Sequence, residues 1–462
     1  GETGGSIPPF LFGREEIMKR FRLVSVMLAS VLCAACLVCG MTGCSSAPNG
    51  DPENENNDIP EEKGYLDNLV KNFWQSDVMY DETVLFVAET DSTGNVLSAP
   101  QAKLLFPVEE MIQVKQYLTD RDEPIFFTEG EDYTRSGNVL TAVGTLQEQS
   151  GKTVFSGNVP YVTDKSLTGE MPFPGVPDSK TVPSKQTPGL YLPFTEGTGI
   201  VAMQCSVTYK HSEQWTGAVP SCYADGALKH TVEKLKSGAP VELFVWGDSI
   251  STGANSSSVL NMAPRLKTWP ELLADNLSSY FGADVRLTNK AVGGWTSDGG
   301  VAGGSGYVDG ELIQQKGLSA LLREDLPEYM PDVALIGFGM NDASAGFSAD
   351  RFVGNILSMI SALRERNPAC EIVLIGTMLA NPLAIHSQNQ EELTYYLKNI
   401  SGIEEYNCCT VDIGSMHKEL LEAGKCYTEM SSNNVNHPND FLARIYAMNL
   451  LTAFIGSEAT SA

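Results

Sequence analysis

The sequence predicts an α/β protein with a β-rich, sandwich-like region ahead of it. Beyond residue 240, five apolar runs of buried-strand type alternate with five helical segments, a pattern that builds a parallel sheet with helices on both faces. Between residues 65 and 237, short apolar runs are instead separated by Gly, Pro and Asp, the signature of an all-β sandwich. A length of 462 residues allows two ordinary domains plus extras, and 42% apolar content is enough to build cores for both.

Residues 1–43 are expected to be a leader. Met18-Lys-Arg-Phe-Arg22 is basic, residues 23–39 are apolar, and Met41-Thr-Gly-Cys44 places small residues before a cysteine. This resembles the lipobox of bacterial lipoproteins, which implies a lipid on Cys44, anchorage at the bacterial surface or facing the periplasm, and Met18 as the true start. Residues 44–64 carry Asp51, Glu53, Glu55, Asp58, Glu61 and Glu62 with almost nothing to bury, and are expected to form an acidic tether. The formal charge of -26 argues against nucleic acid as a partner, because phosphate binding needs clustered Lys and Arg. The membrane is expected to be touched only through the lipid.

Of ten cysteines, Cys33, Cys36, Cys39 and Cys44 fall in the leader region. Cys205 and Cys222 are close enough in sequence to pair in an oxidising compartment, and no C-x-x-C spacing remains to suggest a metal centre. Neither metal nor organic cofactor is expected.

In the β-rich domain (65–237), strands are expected around 83–88, 103–106, 139–143, 153–155 and 199–209, with a Pro-containing loop over 180–189. Residues 65–75 and 108–118 also fit helices. A short helix is expected over 228–235, and Lys236-Ser-Gly-Ala-Pro240 marks a boundary before the second domain (238–462). There, strands are expected at 241–246, 285–288, 333–338, 372–375 and 410–413. Helices are expected at 269–281, 310–326, 349–366, 390–406 and 440–454.

The first of those strands runs into Gly247-Asp-Ser249, placing a serine just past a strand's carboxyl end, where crevices open in such sheets. Three further clusters fall on the same rim: Asn289-Lys-Ala-Val-Gly-Gly-Trp-Thr-Ser297, Gly339-Met-Asn-Asp342 and Asn434-Val-Asn-His-Pro438. With these four blocks in order, residues 241–455 resemble the SGNH (GDSL-type) hydrolases, in the two-domain form of bacterial carbohydrate esterases. The resemblance implies a flavodoxin-like hydrolase domain. It also implies Ser249 as nucleophile, His437 as general base, and the Gly294 N–H and the Asn341 amide as oxyanion donors, with Gly293 a competing donor. His211 and His230 lie in the other domain, and His386 and His417 match no block. Asp248 and Asp342 are expected to brace loops.

One departure stands out. The family commonly carries Asp three residues before the histidine, where this chain has Asn434. The imidazole then needs another acceptor for its Nδ1 proton: a backbone carbonyl, the Oδ1 of Asn434, or Asp440. The first two would leave a Ser-His dyad. Surface tethering, a β-rich companion and Trp295 beside the glycine pair point to a small acyl ester, an O-acetyl group on an extracellular carbohydrate. The alternatives are a lysophospholipase or thioesterase, and an inert glycan-binding lipoprotein.

Overall fold

The computed structural model describes residues 70–143, 161–167, 180–184, 187–218, 226–384 and 389–456. The expected leader, the expected lipid site at Cys44, the expected acidic tether, the run at 153–155, Cys222 and His386 lie outside the described residues.

Strands β1 (Val241–Gly247), β2 (Val285–Asn289), β3 (Val333–Gly337), β4 (Glu371–Gly376) and β5 (Cys408–Asp412) form one wholly parallel sheet in the order β2-β1-β3-β4-β5. This is the flavodoxin-like order. Because β1 lies between β2 and β3, the loops leaving all three open onto one crevice at the switch point. Five helices follow the strands: α1 (Trp269–Phe281), α2 (Ala349–Arg366), α3 (Gln390–Ser401), α4 (Ile413–Glu422) and α5 (Asp440–Ile455).

Side chains alternate across a strand, so β1 divides its apolar residues between two cores. Leu243 and Val245 join Trp269 and Leu273 of α1 and Leu442 and Tyr446 of α5. Phe244 and Trp246 face the other way, into a cluster with Phe352 and Ile360 of α2 and Leu397 of α3. Helix α5 is buried from Phe441 to Phe454, and such an all-round apolar helix must be covered on every side. Helices α1 and α4 and the parallel sheet cover part of it, and the β-rich part covers another face.

That part contains a four-stranded antiparallel sheet, in the order Val78–Val84, Cys205–Lys210, Glu110–Gln116, Ile125–Phe127. A second, five-stranded sheet runs Tyr133–Ser136, Val139–Ala142, Gln101–Lys103, Phe86–Ala88, Tyr161–Thr163. Val84, Val114 and Val207 of one sheet and Phe86, Ala102 and Leu140 of the other belong to the same apolar cluster as β1, α1 and α5. Arg444 of α5 donates to the carbonyls of Tyr80 and Asp81, satisfying backbone that the packing would otherwise strand.

Several expected elements differ. The helix expected at 310–326 is a hairpin, Gly303–Val308 with Glu311–Lys316, followed by a short helix and a π-turn. The turn is Asp309-Gly310, both at positive φ (50° and 80°), the geometry that matches strand twist in a two-residue hairpin. Residues 110–116 form a strand, because pairing with Cys205–Lys210 overrides a helical pattern. The expected loop at 180–189 contains the strand Lys180–Pro183, paired with Tyr191–Phe194. The last parallel strand lies two residues earlier at its start than expected, and α3 stops at Ser401. The helix Lys229–Lys236 is anchored at its N-terminus by the Glu371 carboxylate of β4, which accepts from the N–H groups of His230 and Thr231, both at 2.7 Å.

Candidate active site

β1 must turn sharply to present Ser249. Gly247 permits it: a Cβ there would lie 2.5 Å from the Gly337 carbonyl oxygen and 2.3 Å from Ser251 Oγ. Asp248 then caps the short helix Ser249–Thr252, accepting from the Ile250 N–H at 3.0 Å. Ser249 is left with 7% exposure just past the carboxyl end of β1.

The loop Ser431–Pro438 brings in His437, whose Nε2 lies 2.9 Å from Ser249 Oγ. The loop is stiffened from within. Asn433 Oδ1 accepts three backbone N–H groups, those of Val435 (3.0 Å), Asn436 (2.9 Å) and His437 (3.0 Å). Ser431 Oγ donates to the His437 carbonyl at 2.9 Å.

On the far side of the ring, Nδ1 meets neither Asn434 nor Asp440. Asn434 Oδ1 accepts from Asn381 and Thr428, and Asp440 accepts from the Ser257 N–H. Nδ1 instead hydrogen-bonds Asn255 Oδ1 and lies 3.4 Å from Glu196 Oε2. Asn255 donates its own amide to the Glu196 carbonyl at 2.6 Å, so its oxygen is what it turns to the imidazole. That assigns the proton to Nδ1 and leaves Nε2 to accept from Ser249. Partial burial pushes the Glu196 carboxyl up, but bonding and charge from His437, with side-chain bonds to Asn433 and Asn255, hold it below the ordinary range. Nothing local in the sequence marks either residue. Asn255 is six residues past the serine, and Glu196 sits in a Thr- and Gly-rich turn of the β-rich part.

The two donor blocks lie opposite. Gly294 adopts φ +82°, a left-handed conformation that costs a glycine little. The Gly293 N–H is committed to the Tyr307 carbonyl at 2.7 Å, whereas among the described residues no group accepts from the N–H of Gly294 or of Ser249. Asn341 donates one amide hydrogen to the Trp295 carbonyl at 2.8 Å, which fixes the side chain and leaves the second hydrogen available. Asp342 ties the two blocks together by accepting from the Ser297 N–H at 2.9 Å and from its hydroxyl.

Trp295 is not a substrate-facing ring. It is 4% exposed, packs edge-on against Trp246, and donates its indole N–H to the Ser305 carbonyl. The ring beside Gly294 belongs to Tyr307, which is 48% exposed; its Cδ2 lies 4.0 Å from where a Cβ on Gly294 would stand. The remaining histidines are elsewhere. His211 stacks on Phe106, His230 opens a helix, and His417 is fully buried, its pKa pushed down to about 3 by burial. Among the described residues, no group of three His, Cys, Asp or Glu side chains is placed to hold a metal ion, and no helix is long and apolar enough to cross a membrane.

Residues 245–445 match the GDSL-like Lipase/Acylhydrolase family. An arylesterase of Vibrio mimicus is 31% identical over 129 residues, 28% of this chain and 52% of that protein, so the chain spans about half the length of this curated relative. Among solved structures, a two-domain esterase active on acetylated mannans aligns with TM-score 0.38 and 19% identity, over 52% of this chain and 55% of its own. An acetylxylan esterase from Geobacillus stearothermophilus aligns with TM-score 0.33 and 20% identity, over 46% and 92% respectively.

Proposed function

We propose, from the premise that residues 245–445 belong to the GDSL-like lipase/acylhydrolase family, that this protein is a serine esterase cleaving small acyl esters through Ser249 and His437. The observation that carries the proposal is the 2.9 Å contact between Ser249 Oγ and His437 Nε2. A serine hydroxyl is a weak nucleophile until a base takes its proton, and this nitrogen is within direct reach of it.

In the proposed reaction, Ser249 Oγ attacks the acyl carbon while its proton passes to His437 Nε2. The carbonyl oxygen gains negative charge and is met by the Gly294 N–H and the free amide hydrogen of Asn341, with the Ser249 N–H on the same side. One such side-chain donor is worth about 2.7 to 4 kcal/mol in a comparable site. The C–O bond to the alcohol breaks, and the departing oxygen takes the proton from Nε2. Water then attacks the acyl-serine, giving its proton to Nε2. Collapse releases the acid and returns the proton to Ser249.

The ester we favour is O-acetyl on a carbohydrate outside the cell. Tyr307 supports it, because its half-exposed ring beside Gly294 offers a stacking face for a sugar. The near-buried serine favours a short acyl chain. The sequence at 18–44 supports export and anchoring at Cys44. The test compares nitrophenyl acetate, long-chain nitrophenyl esters and acetylated xylan, with Ser249→Ala as control. Turnover of acetate and acetylated xylan, abolished in Ser249→Ala, is expected. Activity confined to long chains would turn the reading to a lysophospholipase or thioesterase, and sugar binding without any turnover would turn it to an inert binding protein.

A further inference from the structure

We infer that Glu196, carried by the β-rich part of the chain, is the charged positioning residue for His437, and that Asn434 has become the amide that docks the segment delivering it. The inference rests on the proposed esterase reading and names a residue no sequence block contains.

The geometry has three parts. First, the Glu196 carboxylate lies 3.4 Å from His437 Nδ1, on the ring edge opposite Ser249. Among the described residues it is the charged group set against this ring; the other side chains on it, Asn255 and Ser249, carry no charge. As Nε2 takes the serine proton, the ring becomes cationic, and a carboxylate at this distance stabilises it in the transition state more than in the resting state.

Second, the carboxylate is held. Asn255, whose side-chain oxygen meets Nδ1, donates its amide to the Glu196 backbone carbonyl at 2.6 Å, so the residue that covers the Nδ1 face also fixes Glu196 beside it. Asn255 and Glu196 therefore divide the work: the amide oxygen sets the tautomer, and the carboxylate supplies the charge.

Third, the segment is docked. Glu196 follows the strand Tyr191–Phe194, whose Leu192 is buried with Val435 of the histidine loop and Ala384. Asn434 Nδ2 donates to the Pro193 carbonyl at 3.0 Å, three residues before Glu196. An aspartate at 434 has no hydrogen to give there. The family's acid position has thus exchanged a carboxylate for a donor, and the donor holds the strand that brings the replacement carboxylate.

The test uses the full chain with Glu196→Gln and Glu196→Asp, assayed on nitrophenyl acetate across pH. Glu196→Gln is expected to lose on the order of 10- to 100-fold in kcat, less than the roughly ten-thousand-fold precedent for a buried acid because this carboxylate is half exposed. KM should change little. Removing the anion favours the neutral ring, so the acid limb of kcat/KM should move to lower pH. Glu196→Asp should recover part of both effects, which a residue serving only the fold would not do. The His437 ring is also titrated by nitrogen-15 NMR in wild type and Glu196→Gln, assigned by its loss in His437→Gln. That readout needs no turnover, so it decides the pairing even if no ester is hydrolysed and the esterase reading itself fails. A kcat within twofold of wild type with an unmoved acid limb, or superimposable ring titrations, would overturn the inference.

Discussion

Asp248 performs two tasks that pull in opposite directions. Its Oδ1 caps the turn that presents Ser249, while its Oδ2 is buried with no hydrogen-bond partner. Burial, with the nearby Asp342 carboxylate, pushes its pKa up to about 8. Between its unfolded value near 4 and this folded value, the native state holds a proton that the unfolded chain has released. The stability contributed by this group is therefore fully present below about pH 4 and falls as pH rises toward 8, by up to about 1.4 kcal/mol per unit. Asp248→Asn keeps a good cap and removes the titration. Urea unfolding at pH 5, 7 and 9 should show the variant gaining on wild type as pH rises; parallel curves would contradict this. The sequence marks Asp248 as a brace through its place in the Gly-Asp-Ser turn. Its unpartnered oxygen was not legible, because the burial comes from β3 and α5, remote in the chain.

At the level of elements, legibility followed locality. Helices α1 and α2 begin and end where their apolar spacing and caps place them, and the strands β1 to β4 were readable as short apolar runs. The misread stretch, 310–326, carried a local signal in Asp309-Gly310, but Leu318, Leu321 and Leu322 beyond it recur at helical i, i+3, i+4 spacing. The histidine loop shows what pattern cannot reveal. Its rigidity depends on one amide oxygen accepting three backbone N–H groups, an arrangement without periodicity. Asn433→Ala should cost about 1–3 kcal/mol by stranding those donors. It should lower kcat by releasing His437. Asn433→Asp keeps the acceptor, so its melting temperature should fall far less than that of the alanine variant. Equal losses in both, measured by thermal unfolding, would show that the three bonds are not what holds the loop.

At the scale of the whole molecule, the four residues proposed for the site could be named from the sequence because each lies in a short local block, while Glu196 could not, because it reaches His437 only through the packing of the β-rich part on the parallel-sheet part. That packing includes a buried ionic cluster. Lys425 Nζ lies 2.9 Å from Glu82 and 3.3 Å from Glu429, and Glu82 also accepts from the Tyr209 hydroxyl at 2.7 Å. Glu82 comes from an edge strand of the four-stranded sheet, and Lys425 and Glu429 from the segment leading to the histidine loop. Burial pushes the Glu82 carboxyl up, against the pull of Lys425, so the lysine is what keeps the cluster near neutrality. Lys425→Met leaves two buried carboxylates facing each other and should cost about 3–5 kcal/mol in urea unfolding. Adding Glu82→Gln should restore part of that, because one of the stranded charges is removed with it. If the β-rich part also delivers Glu196, activity and native structure in Lys425→Met should be lost at the same urea concentration. Activity that outlasts unfolding of the β-rich sheets would mean that His437 works without them.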